Sequence, residues 1–455
     1  MSSAQQGVTT PEQLRSGFQW PGSASTRLTL FDQAIVSGSN FLNTVILVRG
    51  LGLALFGEFS MLWLLVVFFV SVEQALLGQP LLTFVPKSED KTGRGYLSAV
   101  LRLAIAFTIL VAASTTLGYG VFLSQWDSTS LSGTLVPLVL AVTFKQAHAF
   151  VRSGFFSTGR RDRAFWNDLI AYPGQPIVML VLWKSGHLSI PNALWVIGAF
   201  SLVATFIGVL SYEGRSAPPH SLRQTARRHW KFSKWMTVMA VAQWFGSNSY
   251  LVAAAALLGA SAVGTLKAAQ TVIGVLHLLF LAMENVVPVT AARLLTREGK
   301  VSMKRYLQRV GKLGLACTAS ISLVLILLAH SLLGLLYQGE VTPELVLALR
   351  GLAAMYLFSF LISLFQIGFR TIESTRIIFL TYMVNTIVAI CLAETVVESF
   401  GFTGAVCGII GQQALLATLL GIVWWRQDRV PAAPFPVSDT PGNIPHGMPQ
   451  QLRRK

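Results

Sequence analysis

The chain has 455 residues, of which 53% are hydrophobic and only 12% charged, with a mean hydropathy of +0.60 and a formal net charge of +16 at pH 7. A soluble globular domain carries about 25% charged residues, so the composition excludes that class and indicates an integral membrane protein. No soluble basic domain exists to bind nucleic acid, and the excess of cations points instead to anionic lipid headgroups.

Residues 1–27 form a polar tail without the apolar core of a signal peptide. A helical span needs about 20 mostly apolar residues to cross a hydrocarbon layer of about 30 Å. Twelve segments meet that requirement, near 28–48, 59–80, 97–120, 131–155, 164–183, 190–212, 235–257, 262–290, 309–336, 344–368, 377–396 and 402–425. The predicted architecture is an all-α polytopic membrane protein, with an N-terminal six-helix bundle over 28–212 and a C-terminal one over 235–425. A basic linker, 213–234, joins them, its early part extended by Pro218 and Pro219, and a Pro-rich tail follows from 426 to 455. Both tails are expected to be disordered.

Lys and Arg alternate between loops. One set of loops holds Lys87, Lys91 and Arg94, then Arg160, Arg161 and Arg163, then the linker cations, the run Arg293 to Lys312, and Arg370 with Arg376. The opposite loops contain only Lys184. Short cytoplasmic loops retain cations, so both termini are expected in the cytoplasm, and the protein in the inner (cytoplasmic) membrane. Tyr172-Pro173-Gly174-Gln175-Pro176 should bend the fifth span. Cys317, Cys391 and Cys407 lie within apolar helices and read as small core residues rather than a disulfide or metal site.

The joint between spans one and two is echoed between spans seven and eight. Gly38-Ser39-Asn40 answers Gly246-Ser247-Asn248, LGLALFG from Leu51 to Gly57 answers LGASAVG from Leu258 to Gly264, and Pro80 answers Pro288. Each copy opens a six-span half, and an even number of spans leaves the halves parallel, related by a pseudo-two-fold axis along the membrane normal.

The Leu51-Gly52 and Phe56-Gly57 pairs at the outer turn, the long apolar helix ending at Pro80, and the twelve spans together resemble the polysaccharide flippases. These are exporters of lipid-linked oligosaccharides within the multidrug, oligosaccharidyl-lipid and polysaccharide exporter superfamily. The stretch between the two pairs departs from that family, since Leu53-Ala54-Leu55 replaces a polar or Pro-rich insert. The resemblance implies an alternating-access flippase that moves a polyprenyl-diphosphate-linked oligosaccharide from the inner to the outer leaflet for cell-surface polysaccharide synthesis. It implies no enzyme activity and no cofactor, and the polysaccharide synthesis machinery as partner.

Lys145, His148 and Arg152 in span four recur at i, i+3 and i+7, on one helical face over roughly 10 Å. A cation at mid-depth costs about 2.5–3.5 kcal/mol, so Lys145 should meet water, an acid such as Asp168 or Glu73, or an anionic ligand. Arg152 either snorkels to the interface or lines a cavity, and His148 is either a packed neutral ring or a ligand. Arg102 in span three either snorkels or joins Arg152 at the same depth. If they face inward, Lys145, Arg102 and Arg152 would accept phosphates. Arg49 and Lys267 lie in the outer half and would receive the headgroup after the switch, while Asn40 and Asn248 either meet sugar hydroxyls or bond neighbouring helices. Asp32, Glu73, Asp168, Glu284 and Glu394 are candidates for proton or sodium gradient coupling, or for permanent neutralisation of cations.

A multidrug or cation antiporter shares the expected architecture and is the alternative function. A membrane-embedded polymerase or glycosyltransferase is disfavoured, because the sequence holds no HExxH, no paired Asp motif and no soluble catalytic domain.

Overall fold

The computed structural model describes residues 24–87, 90–124, 131, 133–213 and 221–426. Both tails beyond 24 and 426, and residues 214–220 with Pro218 and Pro219, lie outside the described residues, as do the side chains of His277 and Glu284. Among the described residues the regular structure is helical throughout. In chain order the helices are α1 (Ala24–Glu73), a π turn (Gln74–Gly78), α2 (Gln79–Phe84), α3 (Asp90–Ser124), α4 (Leu135–Ser157), α5 (Arg161–Ala171), α6 (Gly174–Lys184) and α7 (Ile190–Leu210). They continue with α8 (Leu222–Leu258), α9 (Ala260–Glu298), α10 (Lys300–Leu327), α11 (Ala329–Tyr337), α12 (Pro343–Thr371) and α13 (Thr375–Arg426).

These helices make twelve spans. The 52 residues of α13 suffice for two crossings, as do residues 31–87, which take in the rest of α1, the π turn and α2. Each of these stretches bends where the backbone leaves helical geometry, at Gly52 and at Gly401. Span five is α5 plus α6, broken at Tyr172 and Pro173. The break frees the Ala171 carbonyl, and the Gln175 side chain returns to it with a 2.5 Å hydrogen bond. Span nine is also divided, into α10 and α11 at Leu328, where the sequence offers no breaker.

The two halves repeat each other. Span four packs on span six (α4 on α7) as span ten packs on span twelve (α12 on α13), and the second span, in α1, packs on the eighth, α9. The loops rich in Lys and Arg all fall at one end, here called the basic end. At the other end the joints of the repeat coincide: Gly52 has φ 79°, ψ 167° and Gly259 φ 83°, ψ −178°, a conformation that a Cβ would strain. Five residues beyond each joint the halves touch backbone to backbone. A Cβ on Gly57 would lie 1.7 Å from the Ala260 carbonyl oxygen, and one on Gly264 would lie 1.9 Å from that of Leu53. Leu53 and Ala260 are repeat equivalents, so the contact is two-fold symmetric. Only residues without a Cβ permit this approach.

The main core surrounds the seal, with Leu47, Val48 and Phe56 from one half against Leu266, Ile273 and Tyr337 from the other. Two polar contacts reinforce it. Arg49 donates through Nε to the Leu336 carbonyl at 2.6 Å and through Nη2 to that of Leu335, capping α11, while Glu340 accepts from the Leu53 backbone N–H at 3.2 Å.

One expectation is corrected. Cys317, Cys391 and Cys407 are free and exposed rather than in the core; a weakly polar thiol suits hydrocarbon as well as a protein interior. Within the segment 213–234, residues from Leu222 form the first turns of α8, started by Ser221, whose Oγ accepts from the Gln224 N–H at 3.4 Å.

Candidate functional site

Span four builds the site because its polar residues share one face. Lys145, His148 and Arg152 all line a cavity of about 550 Å³ toward the basic end, with Gln74, Ser153 and Tyr172 completing the polar wall. The bend in span five turns Tyr172 inward, and the Lys145 ammonium sits 3.9 Å from the centre of its ring. A desolvated cation–π contact contributes about 2 kcal/mol, less than the cost of roughly 2.5–3.5 kcal/mol for a lysine at mid-depth. Among the described residues no carboxylate pairs with Lys145, so cavity water or an anion must supply the remainder.

Arg152 is held differently. Its Nε donates to Asp168 Oδ2 at 2.6 Å and its Nη2 to Asp32 Oδ2 at 2.7 Å, tying spans one, four and five together. Both carboxylates are buried, Asp32 at 4% and Asp168 at 1% side-chain exposure, whereas the Arg152 side chain keeps 31%. His148 is buried behind Lys145, with Nε2 3.2 Å from Asp168 Oδ1, in electrostatic contact but off the line of a hydrogen bond. Neither Asp32 nor Asp168 lines the cavity. Formally the two cations and two carboxylates cancel, yet the cations stand in front and the acids behind. An anion entering the cavity meets nitrogen first.

Glu73 is also buried, and Oε2 accepts from Gln74 Nε2 at 2.9 Å while Oε1 has no partner. The same amide donates to Ser153 Oγ at 3.1 Å, joining span two to span four. Gln74 opens the π turn, whose extra residue turns its side chain toward span four; such turns recur at functional sites. Gly78 closes the turn and Pro80 follows it, so the sequence marks an irregularity there without showing that Gln74 turns toward span four. Asn43 Nδ2, on span one, similarly donates to Gln175 Oε1 at 3.0 Å.

The other candidates lie elsewhere. Arg102 is exposed on the flank of α3 and does not join the cavity wall. Arg49 is engaged at the seal, and Lys267 is half-buried on α9 between the core residues Leu266 and Ala268. Asn40 is exposed, and Asn248 bonds its own helix through the Trp244 carbonyl at 2.8 Å. Glu394 is exposed on α13. Among the described residues there is no cluster of His, Cys, Asp and Glu that would hold a metal ion.

No protein-family model matches the sequence, and no curated protein matches it. Solved structures do share its fold. A lipid II flippase, MurJ, in an inward closed conformation superimposes with a TM-score of 0.72 at 12% identity, over 88% of this chain and 87% of that one. A multidrug resistance MATE family transporter of the MOP superfamily gives 0.68 at 13% identity in its inward-facing conformation, covering 89% of this chain and 94% of that one. An outward-facing conformation of a MATE family transporter gives 0.58 at 12% identity over 90% and 96%. The class defined is therefore a multi-pass membrane protein with the fold of these transporters, two parallel six-helix halves, in an arrangement sealed at the end opposite the basic loops.

Proposed function

We propose that the chain is an alternating-access flippase for a polyprenyl-diphosphate-linked oligosaccharide, carried from the leaflet at the basic end to the opposite leaflet. The basic end is then the cytoplasmic side of the inner membrane. The observation that carries this reading is Lys145, an ammonium with no carboxylate partner among the described residues, beside an Arg152 whose acids stand behind it. Diphosphate oxygens would take the two cations, and Gln74 and Ser153 would meet the first sugar hydroxyls. The halves then rock about their shared axis, the glycine seal opens, and the headgroup leaves past Arg49 and Lys267. Opening the seal frees Arg49 from the α11 carbonyls, so that the same guanidinium becomes available to phosphate.

Binding of inorganic pyrophosphate to the purified protein in nanodiscs tests this directly. Lys145→Gln should abolish it, and pyrophosphate binding by the variant at wild-type strength would overturn the assignment.

A second reading, a multidrug or cation antiporter, is favoured by Glu73, a buried acid with one oxygen unbonded and no ion pair among the described residues. Cells lacking the protein separate the two. Accumulated lipid-linked oligosaccharide supports the flippase, and lost dye resistance without accumulation supports the antiporter. In either case Asp32, Asp168 and Glu73 are the groups proposed to exchange a proton or sodium ion, since through Arg152 and Gln74 they link spans one, two, four and five. Transport in vesicles driven by neither gradient would remove that role.

A further inference from the structure

A second cavity, about 560 Å³, lies between spans two, three, four and seven, and its wall is almost wholly apolar. Its position relates it to the first. On the second span Met61 to Phe69 line the apolar cavity and Val70 to Leu82 line the cationic one; on α4 Leu138 lines the former and Lys145 to Arg152 the latter. The same two helices thus run from an apolar chamber to a cationic one, with the charge toward the basic end. Leu138 and Lys145 are seven residues apart, roughly 10 Å along the helix.

The apolar chamber ends at the glycine seal. Met61 is one turn from Gly57, and Ala256, which lines the chamber from the other half, lies in the last turn of α8, four residues before Ala260, across the Gly259 joint. An amphiphile in the leaflet at the basic end has its head toward that end and its hydrocarbon toward the bilayer centre. The two chambers present that polarity in that order.

We propose that this chamber holds the isoprenoid tail of the lipid whose diphosphate occupies the Lys145 cavity, placing the tail against the contact that must open. The proposal rests on the flippase reading. It adds that the tail is a recognised part of the substrate and not merely solvated by bulk lipid.

The test uses the full chain in nanodiscs and a series of dimethylallyl, farnesyl and geranylgeranyl diphosphates, with inorganic pyrophosphate as the tail-free probe. Affinity should rise roughly tenfold or more along the series as apolar surface is buried. Ala256→Trp, which fills the chamber, should flatten that rise while leaving pyrophosphate binding unchanged. A diazirine at the tail end should label the Met61 to Phe69 or Trp244 to Ala256 segments, and phosphatidylglycerol should not compete. Chain-length dependence unaltered by Ala256→Trp, label spread over the outer helix faces, or competition by phosphatidylglycerol would each overturn the proposal. These failures differ from failure of the flippase reading, in which pyrophosphate itself does not bind through Lys145.

Discussion

Arg152 and Lys145 lie two turns apart on one face, yet among the described residues only Arg152 has carboxylate partners. Arg152 presents a planar fork to two buried carboxylates, so Arg152→Ala leaves Asp32 and Asp168 unpaired and should cost about 3 kcal/mol. Thermal unfolding in detergent measures this, and an unchanged midpoint would show the pair to be dispensable. Lys145→Gln should change stability by less than about 1 kcal/mol, because it removes a charge that no acid among the described residues pairs with. The shared face of Lys145, His148 and Arg152 is readable from their spacing alone. The partners of Arg152 are not: Asp32 is 120 residues away, and its approach depends on how span one packs. Gln74 was hidden for another reason: Gly78 and Pro80 mark an irregularity in the helix beside it, but neither fixes which way its side chain turns.

The helix pair formed by the second span of α1 and α9 carries the clearest structural consequence of the repeat. Gly57→Val would drive a branched side chain into the Ala260 carbonyl and hold the halves apart at that end. Spin labels at Ala54 and Ser261 on a cysteine-free background should then report longer distances than in the parent protein, and an identical distribution would contradict the seal. At the basic end the first turns of α8 cross to the other half. His229 accepts from the Tyr96 hydroxyl at 2.5 Å, its Nδ1 lies 3.4 Å from the Leu76 carbonyl at the π turn, and Ser233 Oγ donates to that carbonyl at 3.3 Å. Burial pushes His229 down to about 4, from an ordinary 6.5, with the nearby Arg228 acting in the same direction. The folded state therefore favours the neutral ring. Its contribution is complete above about pH 6.5 and lost as pH falls toward about 4, because over that window the unfolded chain binds the proton and the folded chain does not. The difference in melting temperature between the parent and His229→Gln should shrink across that range, and a pH-independent difference would remove this latch. The π turn thus serves two helices, presenting Gln74 to span four and the Leu76 carbonyl to α8.

Over the whole molecule, contacts between the halves concentrate at two places, the glycine seal with Arg49 and Glu340 at one end and the α8 latch at the other. Under the proposed flippase cycle these two contacts must be exchanged, so neither can be too strong. Twelve spans, their two-fold arrangement and the bend in span five were legible because hydropathy, parity and Pro register directly in sequence. The break at Leu328 and the helical start of α8 were not, since both depend on packing against distant elements. Composition alone reads Cys317, Cys391 and Cys407 as core because lipid and protein interior select for the same apolar side chains.

The central claim is that Lys145 faces a chamber built to hold an anionic headgroup. Reconstitution of the parent protein and Lys145→Ala at equal inserted amounts, with a polyprenyl-diphosphate-linked saccharide in one leaflet, measures it most directly. The account predicts transfer across the bilayer by the parent and only background transfer by the variant; transfer by the variant at the parental rate would contradict it.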